Sequence, residues 1–131
     1  MDKIKLVAIL RGIQPAEAAD HIETLINAGF RYIEIPLNSP DWQQSIPAMV
    51  RQFGERAMIG AGTVLKVEQV DFLAEAGAKL IVTPNTAPAV IRRAVDKGML
   101  VCAGCATASE AFSALDAGAQ WLKIFPSSAF G

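Results

Sequence analysis

Histidine occurs once in the 131 residues, as His21, and cysteine only twice, as Cys102 and Cys105. A structural zinc site draws on two such pairs, and the chain has no second pair to complete one, so zinc is excluded and no metal is expected. Basic residues are no more plentiful: 12 Lys and Arg against 13 Asp and Glu leave a net charge of -1, with no cluster to follow a phosphate backbone. Nucleic acid is therefore not an expected partner. Uninterrupted apolar runs are short, where roughly 20 residues are needed to cross a bilayer, and the opening MDKIKLVAIL lacks the length and cleavage site of a signal peptide. A soluble cytoplasmic protein with no membrane partner is the expectation.

What the chain does have is a repeat punctuated by glycine. Short apolar runs (IKLVAIL, YIEIPL, AMIGAG, KLIVTP, MLVCAG and WLKIFP) carry the β-branched and aromatic content of strands. Between them lie amphipathic stretches. In PAEAADHIETLINAG, Ala18, Ile22, Leu25 and Ile26 recur at the spacing of one helix face, with Pro15 near its start. Thr107 to Glu110 has the pattern of a capping box. Pro47 inside PDWQQSIPAMVRQFG predicts a kink or a late start. Each helical stretch ends on a glycine (Gly29, Gly54, Gly77, Gly98, Gly118), where a left-handed residue is expected to stop the helix.

Six strands buried on both faces and joined by five helices predict a parallel sheet with right-handed crossovers, doubly wound or closed into a barrel. Aligned on their glycines, AGFRYIEIP, AGAKLIVTP and AGAQWLKIFP place Glu34, Val82 and Lys123 five residues after Gly29, Gly77 and Gly118. In an eight-stranded barrel alternate strands fill one interior layer, so this alignment puts Glu34 and Lys123 together at the catalytic end.

Lys123 lies between Trp-Leu and Ile-Phe-Pro, apolar flanks that argue against a lysine snorkelling to the surface. Desolvation lowers an amine pKa and frees the lone pair that a Schiff-base nucleophile needs. Glu34, in mid-strand, is costly to bury unless it is paired or used, so a structural ion pair with Lys123 and a general acid or base both stand as readings. Arg11 follows LVAIL and could fork two hydrogen bonds onto an anion, or simply sit at the surface. In IGAGTV, Gly60 and Gly62 let backbone N–H groups approach an anion while Thr63 adds a hydroxyl, although the third glycine of a dinucleotide fingerprint is missing. Cys102 and Cys105 form a C-x-x-C between a strand and a helix, the setting of a thioredoxin-like redox pair, though the strand order is wrong for that fold and small residues packed in a loop are the other reading. His21 reads as solvated, and Trp42, Trp121, Phe125 and Phe130 as packing, with Phe125 or Phe130 able to wall a pocket.

LVAILRGI, IEIPLNSP, IGAGTVL, LIVTPN and LKIFPSSAFG together resemble the class I 2-keto-3-deoxy-6-phosphogluconate/phosphogalactonate aldolase family, and LRGI, IPLNSP and FPSSAFG sit closer to its phosphogalactonate branch. The resemblance implies an α/β fold of (β/α)8 TIM-barrel type, with Lys123 as Schiff-base lysine and Glu34 as general acid/base. It further implies Arg11, Thr63 and Gly62 at the substrate and Pro84 in the pocket wall. The expected ligands are a phosphorylated keto-sugar acid and pyruvate. No cofactor and no metal are implied, because the iminium supplies the positive charge that a cation supplies in the other aldolase class. Family members are commonly trimers, so a homo-oligomer is expected.

A closed barrel of this kind needs eight strands and about 200 residues or more. Residues 1–131 are accordingly expected to form a partial barrel domain of about six strands and five helices, with strands seven and eight and their phosphate-binding loops missing. Open sheet edges would then want cover. An inactive fragment or assembly module of the same fold is the alternative, and a C-x-x-C redox protein a further one.

Overall fold

Every apolar run becomes a strand and every amphipathic stretch a helix. The computed structural model describes the backbone of residues 4–124 and the side chains of residues 7–122. Strands β1 (Ile4–Ile9), β2 (Phe30–Pro36), β3 (Met58–Gly62), β4 (Leu80–Thr83), β5 (Leu100–Cys105) and β6 (Trp121–Ile124) alternate with five helices. These are α1 (Pro15–Asn27), α2 (Trp42–Phe53), α3 (Val67–Glu75), α4 (Pro88–Asp96) and α5 (Ala108–Asp116). Each strand pairs in parallel with the next, in the order β1-β2-β3-β4-β5-β6. Parallel neighbours need a crossover, and the helices supply it.

Alternation along the strands sorts the side chains into two layers. Ile33, Ile35, Ile59, Ile81 and Val101 are fully buried against the helices, where they meet Ile22, Ile46, Val70, Leu73 and Ile91. Each such side chain contributes about 1.5–3 kcal/mol by leaving water, so this layer holds the fold together. The other face carries a smaller cluster of Leu80, Val82 and Cys102, with Val7, Tyr32, Leu100 and Trp121 packed on it. Tyr32 of β2 meets Trp121 of β6 edge to face, with ring centroids 4.8 Å apart. Strands four places apart in a flat sheet could not touch, since neighbours are spaced about 4.8 Å. The sheet is therefore curled into a half-barrel with this second cluster inside it.

Local signals act largely as their chemistry predicts. Glu110 N–H donates to the Thr107 hydroxyl at 3.1 Å and Thr107 N–H to the Glu110 carboxylate at 3.2 Å, a complete capping box. Ion pairs tie neighbouring segments: Arg56, in the turn after α2, to Glu23 of α1, and Arg93 of α4 to Asp71 of α3. Two expectations fail. Gly54 has φ of -60°, right-handed, whereas Gly29, Gly77, Gly98 and Gly118 have positive φ. The chain leaves α2 without a left-handed residue because the turn continues, Ala57 N–H bonding back to the Phe53 carbonyl. Of the kink or late start expected at Pro47, the late start does not occur: α2 begins five residues earlier at Trp42, behind Asp41, itself left-handed with φ of 53°. The amide that Pro47 lacks would have gone to the carbonyl of Gln43, an exposed residue where water can replace the bond.

Candidate active site

At the carboxyl ends of β1 to β4 the half-barrel opens into a pocket of about 70 Å³. Its polar wall is made by Arg11, Glu34, Asn38 and Thr63, and its apolar wall by Ile9, Pro36, Val82 and Pro84. Ligand pockets usually measure about 300–1,000 Å³, so this one holds only a small part of a ligand. Carboxyl strand ends are where parallel α/β folds place their chemistry, because the loops that follow diverge there.

Glu34 is the centre of it. The residue is only 3% exposed, and its register partners are Ile9 on β1 and Gly60 on β3. Its backbone carbonyl accepts from Leu10 N–H at 3.1 Å, which fixes the strand beneath it. A methyl group added at Gly62 would land on both oxygens and the carbon of the Glu34 carboxylate. The missing side chain at Gly62 is thus the seat of that carboxylate. A carboxylate of the protein itself lies against the glycine loop, which spacing alone could not reveal. Gly60 has a different reason: a side chain there would strike the backbone carbonyl of Leu80 on the next strand.

Thr63 follows with φ of 55°, a left-handed conformation that a β-branched residue adopts only under strain of about 1–3 kcal/mol. The strain turns the chain off β3 at the pocket. Arg11 is exposed, lies just past β1, and makes no ion pair among the described residues. Pro84, directly after β4, is held by neighbouring bonds: Thr83 Oγ1 donates to the Asn85 carbonyl at 2.7 Å and Thr86 Oγ1 to the Gly104 carbonyl at 2.9 Å. Gly104 admits this loop because a side chain there would meet the Pro84 carbonyl at 2.6 Å.

Glu34 and Val82, equated by the glycine alignment, line one pocket. The backbone of Lys123 lies in β6 as register partner of Gly104; its side chain, with Phe125 and Phe130, lies outside the described residues. Three contributors escaped the sequence reading. Asn38 was visible only as part of IPLNSP, and the bond from the Thr86 hydroxyl to the backbone carbonyl of Gly104 is one that no periodicity marks.

The cysteines are corrected outright. Both are buried, unbridged and inside β5, not in the turn after it. Three steps along an extended strand separate them by about 10 Å on opposite faces, beyond the reach of a disulfide. A thioredoxin-like pair is ruled out by that geometry. His21 is exposed on α1, as read, and among the described residues no group of three or more His, Cys, Asp or Glu side chains could hold a metal. No helix among them is long and apolar enough to cross a membrane.

Fold and pocket together define a parallel α/β domain with a buried carboxylate at the carboxyl ends of its strands. The family model for KDPG and KHG aldolase matches residues 1–131, and the chain belongs to that family. It is 67% identical over 129 residues to 2-dehydro-3-deoxy-6-phosphogalactonate aldolase of Escherichia coli (strain K12), a match that takes in 98% of this chain and 63% of that protein. A solved structure described as native KDPGal superposes with a TM-score of 0.97 at 66% identity, covering 100% of this chain and 64% of that one. A designed cube-shaped cage made by fusing symmetric oligomeric domains includes a segment 67% identical, with a TM-score of 0.94, covering 98% of this chain and 48% of that chain. The chain thus spans from about half to a little under two thirds of the length of the relatives it matches.

Proposed function

We propose that this chain carries the lysine and the glutamate of a class I aldolase that cleaves 2-dehydro-3-deoxy-6-phosphogalactonate to pyruvate and glyceraldehyde 3-phosphate. The observation that carries the reading is Glu34, a carboxylate 3% exposed that nonetheless walls a pocket at the strand ends, in a chain 67% identical to an aldolase of that name. A carboxylate held at the wall of a pocket is placed to pass a proton to and from a bound molecule, which is the general acid/base role.

In this mechanism the Lys123 amine adds to the C2 ketone and water leaves, giving an iminium. Lys123 lies in β6, its backbone in register with Gly104 of β5, and the 67% identity to a named aldolase supports giving its amine this role. Glu34 takes the C4 hydroxyl proton as the C3–C4 bond breaks, and the bonding electrons pass into the iminium to form an enamine. Glyceraldehyde 3-phosphate leaves as the aldehyde. The same carboxyl group returns a proton to C3, and water hydrolyses the resulting iminium to pyruvate and the free amine. Arg11 supplies a cation for an anionic group of the substrate, Thr63 and Gly62 shape the loop beside it, and Pro84 forms the wall.

The sequential strand order and the inward curl support reading the six strands as part of a (β/α)8 barrel. The cage built from symmetric oligomeric domains supports a homo-oligomer, which we read as a trimer. A cytoplasmic location fits a phosphorylated substrate, which does not cross a bilayer unaided.

Borohydride reduction in the presence of pyruvate, followed by peptide mass mapping, tests the reading. An adduct on Lys123 is expected. Its absence, or an adduct on another lysine, overturns the assignment.

A further inference from the structure

We infer that Asn38 is the residue that reads the configuration of the substrate's C4 hydroxyl, donating a hydrogen bond from its amide to the oxygen whose proton Glu34 takes. The inference rests on the aldolase reading above. Four polar side chains wall the pocket, and the mechanism gives work to three of them: Arg11 meets an anion, Glu34 moves the proton, and Thr63 shapes the β3 exit. Asn38 is left over. Its carboxamide has no hydrogen-bond partner among the described residues, so both its donor and its acceptor are available to a ligand.

The backbone on either side of it is held in place, although its side chain is exposed. On one side Leu37 N–H donates to the Gly62 carbonyl at 3.0 Å, and on the other Ser39 N–H donates to the Pro36 carbonyl at 3.0 Å, with Ser39 itself buried. The first of these bonds ties Leu37, the residue before Asn38, to the same residue that seats the Glu34 carboxylate. Amide and carboxylate are thereby held on one wall, at positions 34 and 38 of one segment.

The chemistry selects a hydroxyl as the ligand. A carboxylate or phosphate accepts only, and a cation such as Arg11 serves it better. A hydroxyl gives its hydrogen to one partner and accepts from another, which is what a carboxylate and an amide on one wall together provide. Inverting the carbon turns the oxygen away from both partners, so the pair discriminates between C4 epimers.

The test compares borohydride trapping of the galacto-configured substrate and of its C4 epimer, 2-dehydro-3-deoxy-6-phosphogluconate, at subsaturating concentration. Total adduct is read by intact mass, and pyruvate trapping by the same variant is the internal reference. The unsubstituted chain is expected to favour the galacto epimer. Asn38→Ala should shrink that ratio about 3- to 10-fold, as loss of one neutral hydrogen bond does. Asn38→Asp, the same shape without the donor, should shrink it at least as far. An unchanged ratio in either variant, or no epimer preference in the unsubstituted chain, overturns the inference while leaving the Schiff-base chemistry of the aldolase reading intact. Failure of the unsubstituted chain to form any pyruvate adduct removes the aldolase reading and the inference with it.

Discussion

Gly62→Ala adds one carbon to the chain, and the structure says where it goes: onto all three heavy atoms of the Glu34 carboxylate. To reach van der Waals contact the head group must retreat by more than about 1 Å, and at 3% exposure it has little room in which to do so. Forcing a group into a filled site costs about 1–3 kcal/mol of stability, readable as a lowered urea midpoint. The catalytic loss should be larger in proportion, since a displacement of about 1 Å can cost roughly 100-fold when the moved group handles a proton. Exchange of pyruvate methyl protons for deuterium, followed by proton NMR, isolates that step because it needs the enamine but no aldehyde. Exchange should fall about 100-fold in Gly62→Ala and at least as far in Glu34→Gln. The double variant should be no slower than Glu34→Gln alone, because both changes remove one function. A Gly62→Ala protein that exchanges at nearly the unsubstituted rate, while Glu34→Gln is inert, would refute the idea that this glycine seats the carboxylate.

Two further outcomes follow from packing and from charge. Phe53 is 1% exposed in the helix-facing core, so Phe53→Ala should lower the unfolding free energy by about 3–5 kcal/mol in a urea titration; a loss below about 1 kcal/mol would contradict its place there. The hydrogen bonds of Arg93 hold the Asp71 carboxyl below its usual pKa, as those of Arg56 hold Glu23. A carboxyl whose pKa falls on folding stabilises the protein fully at neutral pH and ceases to do so as pH drops through its folded-state value. Arg93→Gln should therefore be less stable than the unsubstituted chain at neutral pH and equal to it well below about pH 4. With side chains 45% and 39% exposed the gap should be small and shrink in salt. A gap that persists undiminished in acid would show that Arg93 acts by packing alone.

The architecture was legible because it rests on repetition. Runs buried on both faces, glycines at a steady interval and amphipathic stretches between them leave few arrangements other than a parallel sheet with helical crossovers, and all six strands lie within two residues of where composition puts them. The pocket was half legible. Counting from glycine placed Glu34 and Val82 on one wall because strand parity is preserved from repeat to repeat. What it could not supply was the loop. Asn38 is carried to the wall between two residues whose backbone N–H groups are hydrogen-bonded, and Gly62 seats a side chain 28 positions away. The cysteines show how narrow the margin is. Ending the fifth strand at Gly104 leaves Cys105 in a turn, where residues three apart can meet; extending it by one residue, as the chain does, puts Cys102 and Cys105 at odd separation on a strand and turns them to opposite faces. A boundary error of one residue, ordinary at any strand end, was therefore enough to decide between a redox motif and two packed thiols.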